Sequence, residues 1–149
     1  MNELSLLQAN QLIESALNKA RELKLPPVSV AVVDRGGHLI SVQREDGQAF
    51  LRVQVCQAKA WGAIALHSHT RDIASRYEKG DRDAGFIDSL NALSGGRMVP
   101  LAGGVLIHDD SGDIVGAVGV AGAQSELDEA CAIAGIETIG FSAGIQPDV

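Results

Sequence analysis

The chain has 149 residues, the size of one domain; 46% of them are apolar and 21% are charged, as in folded globular proteins. Only 3% are aromatic, which leaves few side chains for stacking on single-stranded nucleic acid. The net charge of −7 disfavours binding to nucleic-acid phosphates or to an anionic membrane. The composition therefore predicts a single domain, residues 1–149, whose partners are neither nucleic acid nor membrane.

The charges are divided unevenly along the chain. All 12 Lys and Arg lie within residues 1–97, whereas residues 98–149 carry eight acidic residues and no basic one. Surfaces of opposite charge could pair in an oligomer, but solvated faces explain the asymmetry equally well.

The two cysteines, Cys56 and Cys131, are too few for a disulfide framework and form no C-x-x-C motif. This usage is typical of a reducing compartment, so we expect a cytoplasmic protein. We expect no signal peptide, because no basic segment with an apolar core opens the sequence. No apolar run approaches the roughly 18 residues of a membrane span.

The first predicted element is a helix that begins after Ser5, which forms a capping box with Gln8. Apolar residues then recur at helical spacing until Pro26 and Pro27 end the helix. A β-hairpin follows, with strands at residues 28–33 and 39–42 around the Asp34–Gly37 turn.

The middle of the chain is predicted to be helical over about residues 50–66, 70–80 and 83–93. In the first of these helices we expect Leu51, Val55, Ala58 and Leu66 to line the inner face. The last third predicts strands at residues 98–101, 104–108 and 114–120, the last two joined by the Asp109–Gly112 turn. We expect this last pair at the heart of the sheet. Ser125 is predicted to cap the final helix.

These elements together predict an α+β layered domain. Two hairpins and one further strand give about five antiparallel strands, and helices from both ends of the chain must cover the sheet. Gly116, Gly119 and Gly122 fall in the last strand and its exit, where we interpret them as positions of close backbone packing or ligand approach.

Three histidines are the leading candidates for chemistry. His67 and His69 stand two apart at a predicted helix end, where a non-helical exit could aim both at one metal ion. The alternative is a favourable charge near a helix C-terminus. His108 closes a strand before an acidic turn, and is either a pocket residue or a solvated side chain. His38 follows a turn, and we expect it to be exposed.

Two arginines and one glutamate complete the candidates. Arg44 and Arg97 lie in predicted loops, where they could hold a carboxylate or form ordinary surface ion pairs. Glu129 stands near the start of the last helix, where it could act as an acid or base or simply serve the helix dipole. Cys131 is predicted to be a small buried residue.

Five segments in a fixed order resemble the GlcG/HbpS-like family, also called the haem-degrading domain family, over about residues 5 to 140. The family includes the C-terminal domain of PduO-type corrinoid adenosyltransferases. The matching segments are residues 30–39 (VAVVDRGGHL), 91–100 (NALSGGRMVP), 103–107 (GGVLI), 116–120 (GAVGV) and 128–135 (DEACAIAG).

The resemblance implies a profilin-like fold, a five-stranded antiparallel sheet flanked by helices, and homo-oligomers, often octamers. It also implies a small-molecule ligand: several members bind haem, some bind iron or cobalamin, and members occur beside catabolic functions. Relatives often have Gly-x-Pro-Thr where this chain has His67-Ser68-His69-Thr70 and retains only Thr70. The histidine that replaces the proline makes His69, with His67 beside it, the predicted axial or metal ligand.

Three functions compete at this point. The first is a haem-, tetrapyrrole- or iron-binding accessory protein of a catabolic pathway, with His67, His69 or His108 as axial ligand and Arg44 or Arg97 for propionates. The second is an enzyme acting on a small organic acid or ring-cleavage product, with Arg97 or Arg44 holding its carboxylate and Glu129 or a histidine as acid or base. The third is a structural oligomer without a ligand.

Overall fold

A computed structural model describes residues 3–149. Five helices and four strands make up this part of the chain. In order they are α1 (Leu6–Glu22), β1 (Ser29–Asp34), β2 (Leu39–Arg44), α2 (Leu51–Leu66), α3 (Thr70–Glu78), α4 (Asp81–Leu93), β3 (Gly104–His108), β4 (Ile114–Ala121) and α5 (Ser125–Thr138).

The strands form one antiparallel sheet in the order β2-β1-β4-β3, with α1 and α5 packed on one face and α2 on the other. The α+β class is therefore confirmed, but the described residues contain four strands rather than five. Residues 98–101 were predicted as a strand and are not one. Pro100 has no amide hydrogen for a ladder, and the Leu101 amide bonds back to the Val99 carbonyl at 2.9 Å, so the chain turns there.

The first helix matches its prediction closely. Ser5 and Gln8 form both hydrogen bonds of a capping box, and the inner face of α1 is fully buried. This face packs with α5 and with the inward side chains of the strands to form the main core. Its members include Ala9, Leu12, Ile13, Ala16 and Ala20.

The predicted inner face of α2 is wrong at Leu51 and Leu66, whereas Val55 packs against a core cluster as predicted. Leu51 and Leu66 are 59% and 36% exposed, whereas the buried positions include Cys56, Ala60 and Ala63. The sheet beneath the helix explains the difference, because glycines there bring the α2 backbone very close. A Cβ atom added at Gly119 would lie 2.0 Å from the Cys56 carbonyl oxygen. Only small side chains fit at such a contact.

Of the last strand pair, β3 and β4, only β4 lies in the centre of the sheet. β4 lies inside the sheet between β1 and β3, as predicted, and Val118 is 0% exposed. β3, however, is an edge strand, so only half of the predicted pair lies at the heart of the sheet. The outer edge of β3 is left for other parts of the chain to cover.

Both hairpin turns use the same side-chain hydrogen bonds. The Asp34 carboxylate accepts from the amides of Gly36 and His38, and the Asp109 carboxylate accepts from those of Ser111 and Asp113. His38 has 83% of its side chain exposed, as predicted. Local side-chain hydrogen bonding therefore explains why an aspartate begins each of the two turns.

Ser125 does not cap α5; Gln124 occupies the cap position and offers no side-chain hydrogen bond. Asp128 replaces the cap, because its Oδ1 accepts from the Ala123 amide at 2.9 Å. The predicted burial of Cys131 is confirmed, and burial raises the pKa of both Cys56 and Cys131 to about 12. Between residues 3 and 149, no helix is long and apolar enough to cross a bilayer.

Candidate functional site

Two separate parts of the chain, residues 69–70 and Ser142, close the outer edge of β3. The Thr70 hydroxyl accepts from the Gly104 amide at 2.7 Å and also bonds to the Gly104 carbonyl at 3.3 Å. The Leu106 amide donates to Nδ1 of His69 at 3.1 Å. The His108 amide donates to the Ser142 carbonyl at 2.8 Å. His69, Thr70, His108 and Ser142 are called the β3 edge cluster below. Thr70, a predicted ligand residue, is fully buried and bonded to backbone.

The β3 edge cluster brings two predicted histidines together, with ring centroids 6.3 Å apart. Their hydrogen bonds assign them different tautomers. Nδ1 of His69 accepts an amide proton, so Nε2 carries the proton of the neutral ring. Nδ1 of His108 lies 3.2 Å from the Ser142 carbonyl, which can only accept, so this nitrogen carries the proton. Nε2 of neutral His108 therefore keeps its lone pair.

His69 is held neutral by its surroundings. Burial is the largest cause that lowers its pKa, and His108 and Arg71 act in the same direction. The carboxylates of Asp72 and Glu129 oppose the shift. Protonation would also place a hydrogen on Nδ1, facing the Leu106 amide. The ring therefore serves best as an acceptor that completes the β3 edge.

His67 does not join this cluster. It ends α2 with a left-handed backbone (φ 49°), is exposed, and forms no hydrogen bond or ring contact with His69. Within residues 3–149, no group of three or more His, Cys, Asp or Glu side chains is arranged to hold a metal ion. The two histidines therefore have different surroundings, and their joint binding of one ion stays a prediction.

Near His69 lies an ion pair that the sequence did not predict. Glu129 is 1% exposed, and both of its carboxylate oxygens accept from Arg71, one of them at 2.9 Å. The same guanidinium donates to the Gln146 carbonyl at 2.7 Å, which fixes the C-terminal segment. The carboxylate raises the pKa of Arg71 through hydrogen bonding. Glu129 therefore has a fixed partner instead of an open position as an acid or base.

A second buried pair joins α2 to α5. Lys59 is 2% exposed, and its Nζ lies 3.2 Å from Oδ2 of Asp128 and 3.0 Å from the Val120 carbonyl. Burial lowers the pKa of Lys59 and raises that of Asp128. In the sequence, the only sign of this buried pair is that Lys59 is the single lysine in the Ala-rich helix α2.

Arg97 lies elsewhere, beside the only tryptophan of the chain. Its guanidinium carbon is 5.2 Å from the centroid of the Trp61 ring. The two residues line an open groove of about 330 Å³ between α2 and the β1–β2 hairpin, called the Trp61 groove below. The other lining residues are Val33, Gly37, Leu39, Gln54, Gln57, Ala58 and Gly96. None is a histidine, so the groove and the β3 edge cluster are separate places.

Arg44 is at a third position. It lines a polar surface depression with Arg21, Pro27, Glu45 and Asp46. Glu45 there accepts from Arg21 and from the Val28 amide. The predicted ligand residues are thus distributed over several sites rather than one.

Comparison with known proteins identifies the family. The family described as "haem degrading protein HbpS-like" matches residues 4–137. The chain belongs to this HbpS-like family, as the sequence resemblance predicted.

Two relatives show how the same domain occurs in other chains. The corrinoid adenosyltransferase PduO of Citrobacter freundii is 27% identical over 84% of this chain, which covers 36% of that protein. The chain therefore spans about a third of that relative's length. An uncharacterised 15.0 kDa protein of the same organism, from the dhaT-dhaS intergenic region, is 29% identical over 84% of both chains.

Solved structures agree with the fold over nearly its full extent. A PduOC:haem complex is 26% identical with a TM-score of 0.84, covering 95% of this chain and 99% of that one. The Klebsiella pneumoniae protein ORFY is 28% identical with a TM-score of 0.83, covering 94% and 93%. HbpS is 29% identical with a TM-score of 0.78, covering 93% and 91%.

Proposed function

We propose that this protein binds haem or a related tetrapyrrole or iron species and serves as an accessory protein of a catabolic pathway. The observation that carries the proposal is the match to a haem complex of the PduO C-terminal domain over 95% of this chain. The family assignment supports the same ligand class. The occurrence of this domain within PduO supports an accessory role.

The chemistry of His108 supports it as the iron ligand. An axial histidine coordinates through an unprotonated nitrogen and usually donates its other N–H to a carbonyl or carboxylate. His108 meets both conditions, since Nδ1 faces the Ser142 carbonyl and Nε2 is left as the acceptor. His69 would have to lose its Nε2 proton or its bond to Leu106. The sequence-based choice of His69, with His67, stays a prediction that the same experiment tests.

The fit to haem is partial within one chain. His108 supplies a suitable nitrogen, whereas the Trp61 groove supplies apolar walls and a cation without any histidine. Bound haem would supply the iron and its redox chemistry. We therefore propose that His108 donates to the iron at the β3 edge and that a second copy of the chain completes the apolar slot.

Haem titration of the purified protein, followed by the Soret band, tests this proposal. We expect saturable binding by the wild type and at least tenfold weaker binding by His108→Ala. His38→Ala is the matched control, because His38 is exposed at the β1–β2 turn, outside the β3 edge cluster, and its loss should leave affinity unchanged.

The remaining variants separate the outcomes. The absence of a saturable Soret band in the wild type would refute haem binding. Loss of binding in His69→Ala or in the His67/His69 double alanine, with His108→Ala unaffected, would confirm the sequence-based ligand and refute His108.

Several finer properties belong to the same proposal. These are a homo-oligomer, often an octamer in the family; a profilin-like classification; a single domain; and a cytoplasmic location. They are inferred from the family resemblance, the chain length and the cysteine usage.

A further inference from the structure

Within the described residues, the Trp61 groove combines apolar walls with a cation that has no anionic partner. Val33, Leu39, Ala58 and the Trp61 ring form the apolar part of its lining. Across residues 3–149, the Arg97 guanidinium makes no ion pair and no side-chain hydrogen bond, and it lies over the Trp61 ring. Arg71, in contrast, is fully engaged by Glu129 and Gln146. Arg97 is thus free to bind an anion.

Trp61 offers a second unused group. No described residue accepts a hydrogen bond from its Nε1, so the indole N–H is available to a ligand. The backbone holds the ring in place: Gly37 has φ +81°, and a Cβ there would lie 3.0 Å from both Cδ1 and Nε1 of Trp61. Only glycine fits easily at this contact, because both the positive φ and the close ring disfavour a side chain.

Together these groups recognise one kind of molecule. A guanidinium binds a carboxylate through two parallel N–H donors, and an aromatic face favours a flat apolar body. The volume of about 330 Å³ is at the lower end for ligand pockets, which suits a compact molecule.

We propose that the Trp61 groove is a binding site for a small planar carboxylate, such as an aromatic or conjugated acid. The carboxylate is held by Arg97 and the indole N–H, and the ring system lies against Trp61 and Leu39. This site shares no residue with the β3 edge cluster and does not depend on haem binding. The proposal concerns the binding of a small organic acid and assigns no reaction to it.

Because Trp61 is the only tryptophan, its indole N–H gives a single, unambiguous signal in a ¹H–¹⁵N spectrum. We would titrate the haem-free protein with benzoate, with benzamide, which lacks the charge, and with cyclohexanecarboxylate, which lacks the flat ring. We expect benzoate to move the indole signal saturably and the other two to bind at least tenfold more weakly.

Two arginine variants test the assignment of the cation. Arg97→Gln should weaken benzoate binding at least tenfold and should not disturb folding, because Arg97 is exposed. Arg82→Gln removes an exposed arginine of α4 that does not line the groove, and this variant should bind benzoate like the wild type. No saturable shift with benzoate, equal binding of benzamide, or unchanged affinity in Arg97→Gln would each overturn the proposal. Haem titration of the same variants shows whether the haem proposal stands separately.

Discussion

At the scale of single residues, His69 acts as a hydrogen-bond acceptor for the backbone of an edge strand. Burial lowers its pKa below the ordinary value of 6.5. At a pH between the lowered pKa of the folded state and 6.5, the ring is protonated in the unfolded chain but not in the folded chain. The stability contributed by the neutral ring is therefore complete above about pH 6.5 and is lost as the pH falls below it.

His69→Asn tests this pH dependence. Asparagine can offer an amide oxygen to the Leu106 amide but does not titrate. We expect the wild type to lose up to about 1.4 kcal/mol of unfolding free energy per pH unit below 6.5, relative to His69→Asn. Urea unfolding at pH 7.5, 6.0 and 5.0 measures the difference, with His38→Asn as the exposed control. Parallel pH profiles for wild type and His69→Asn would contradict the prediction.

At the scale of elements, β4 is the strand on which the core depends. Val118 is 0% exposed and pairs with Val32 on one side and Val105 on the other. Val118→Asp would bury an unpaired carboxylate, which should cost on the order of 3–5 kcal/mol. Gln43→Asp places the same group on an exposed strand position and should change stability little. An unchanged melting temperature in Val118→Asp would show that the core is misplaced.

The contact between α2 and the sheet gives a second prediction at this scale. Gly104 and Gly119 are paired across the ladder, and a Cβ at either would lie 2.3 Å or less from a carbonyl oxygen of α2. Gly119→Ala should therefore destabilise the protein by a few kcal/mol, on the order of an overpacked core. A thermal melt measures the effect.

Gly85→Ala is the matched control for that substitution. Gly85 lies inside α4, and nothing stands within 4 Å of an added Cβ. Alanine there should stabilise the protein by about 0.4–1 kcal/mol, because it restricts the unfolded chain. Equal effects of the two substitutions would mean that α2 does not lie on the glycine pair.

At the scale of the whole molecule, we expect a homo-oligomer. All 12 Lys and Arg lie in residues 1–97, beside 11 acids, whereas residues 98–149 carry eight acids and no Lys or Arg, so the acidic part of one copy could meet basic side chains of another. Phe50 and Leu51 also expose apolar surface, at 77% and 59%. Light scattering at micromolar concentration should give a multiple of 15.5 kDa. A mass at the monomer value would contradict this prediction.

The sequence alone was enough for features fixed by short-range interactions. The Ser5–Gln8 capping box, both aspartate turns and the buried face of α1 depend on residues at most a few positions apart. The segments that resemble the HbpS-like family were also sufficient to identify it. The strand predicted at residues 98–101 does not form. Pro100 has no amide hydrogen to donate, and the Leu101 amide bonds locally to the Val99 carbonyl, despite the apolar composition of the segment.

The arrangement of the candidate site was decided by tertiary structure. His69 meets the Leu106 amide across 37 residues, Arg71 meets Glu129 across 58, and Lys59 meets Asp128 across 69. No periodicity or spacing encodes such pairs, because they arise only when α2 and α3 pack against the sheet and α5. The sequence could therefore name His69, His108 and Glu129 as candidates, but only the fold determined which atom of each side chain is already bonded and which is free.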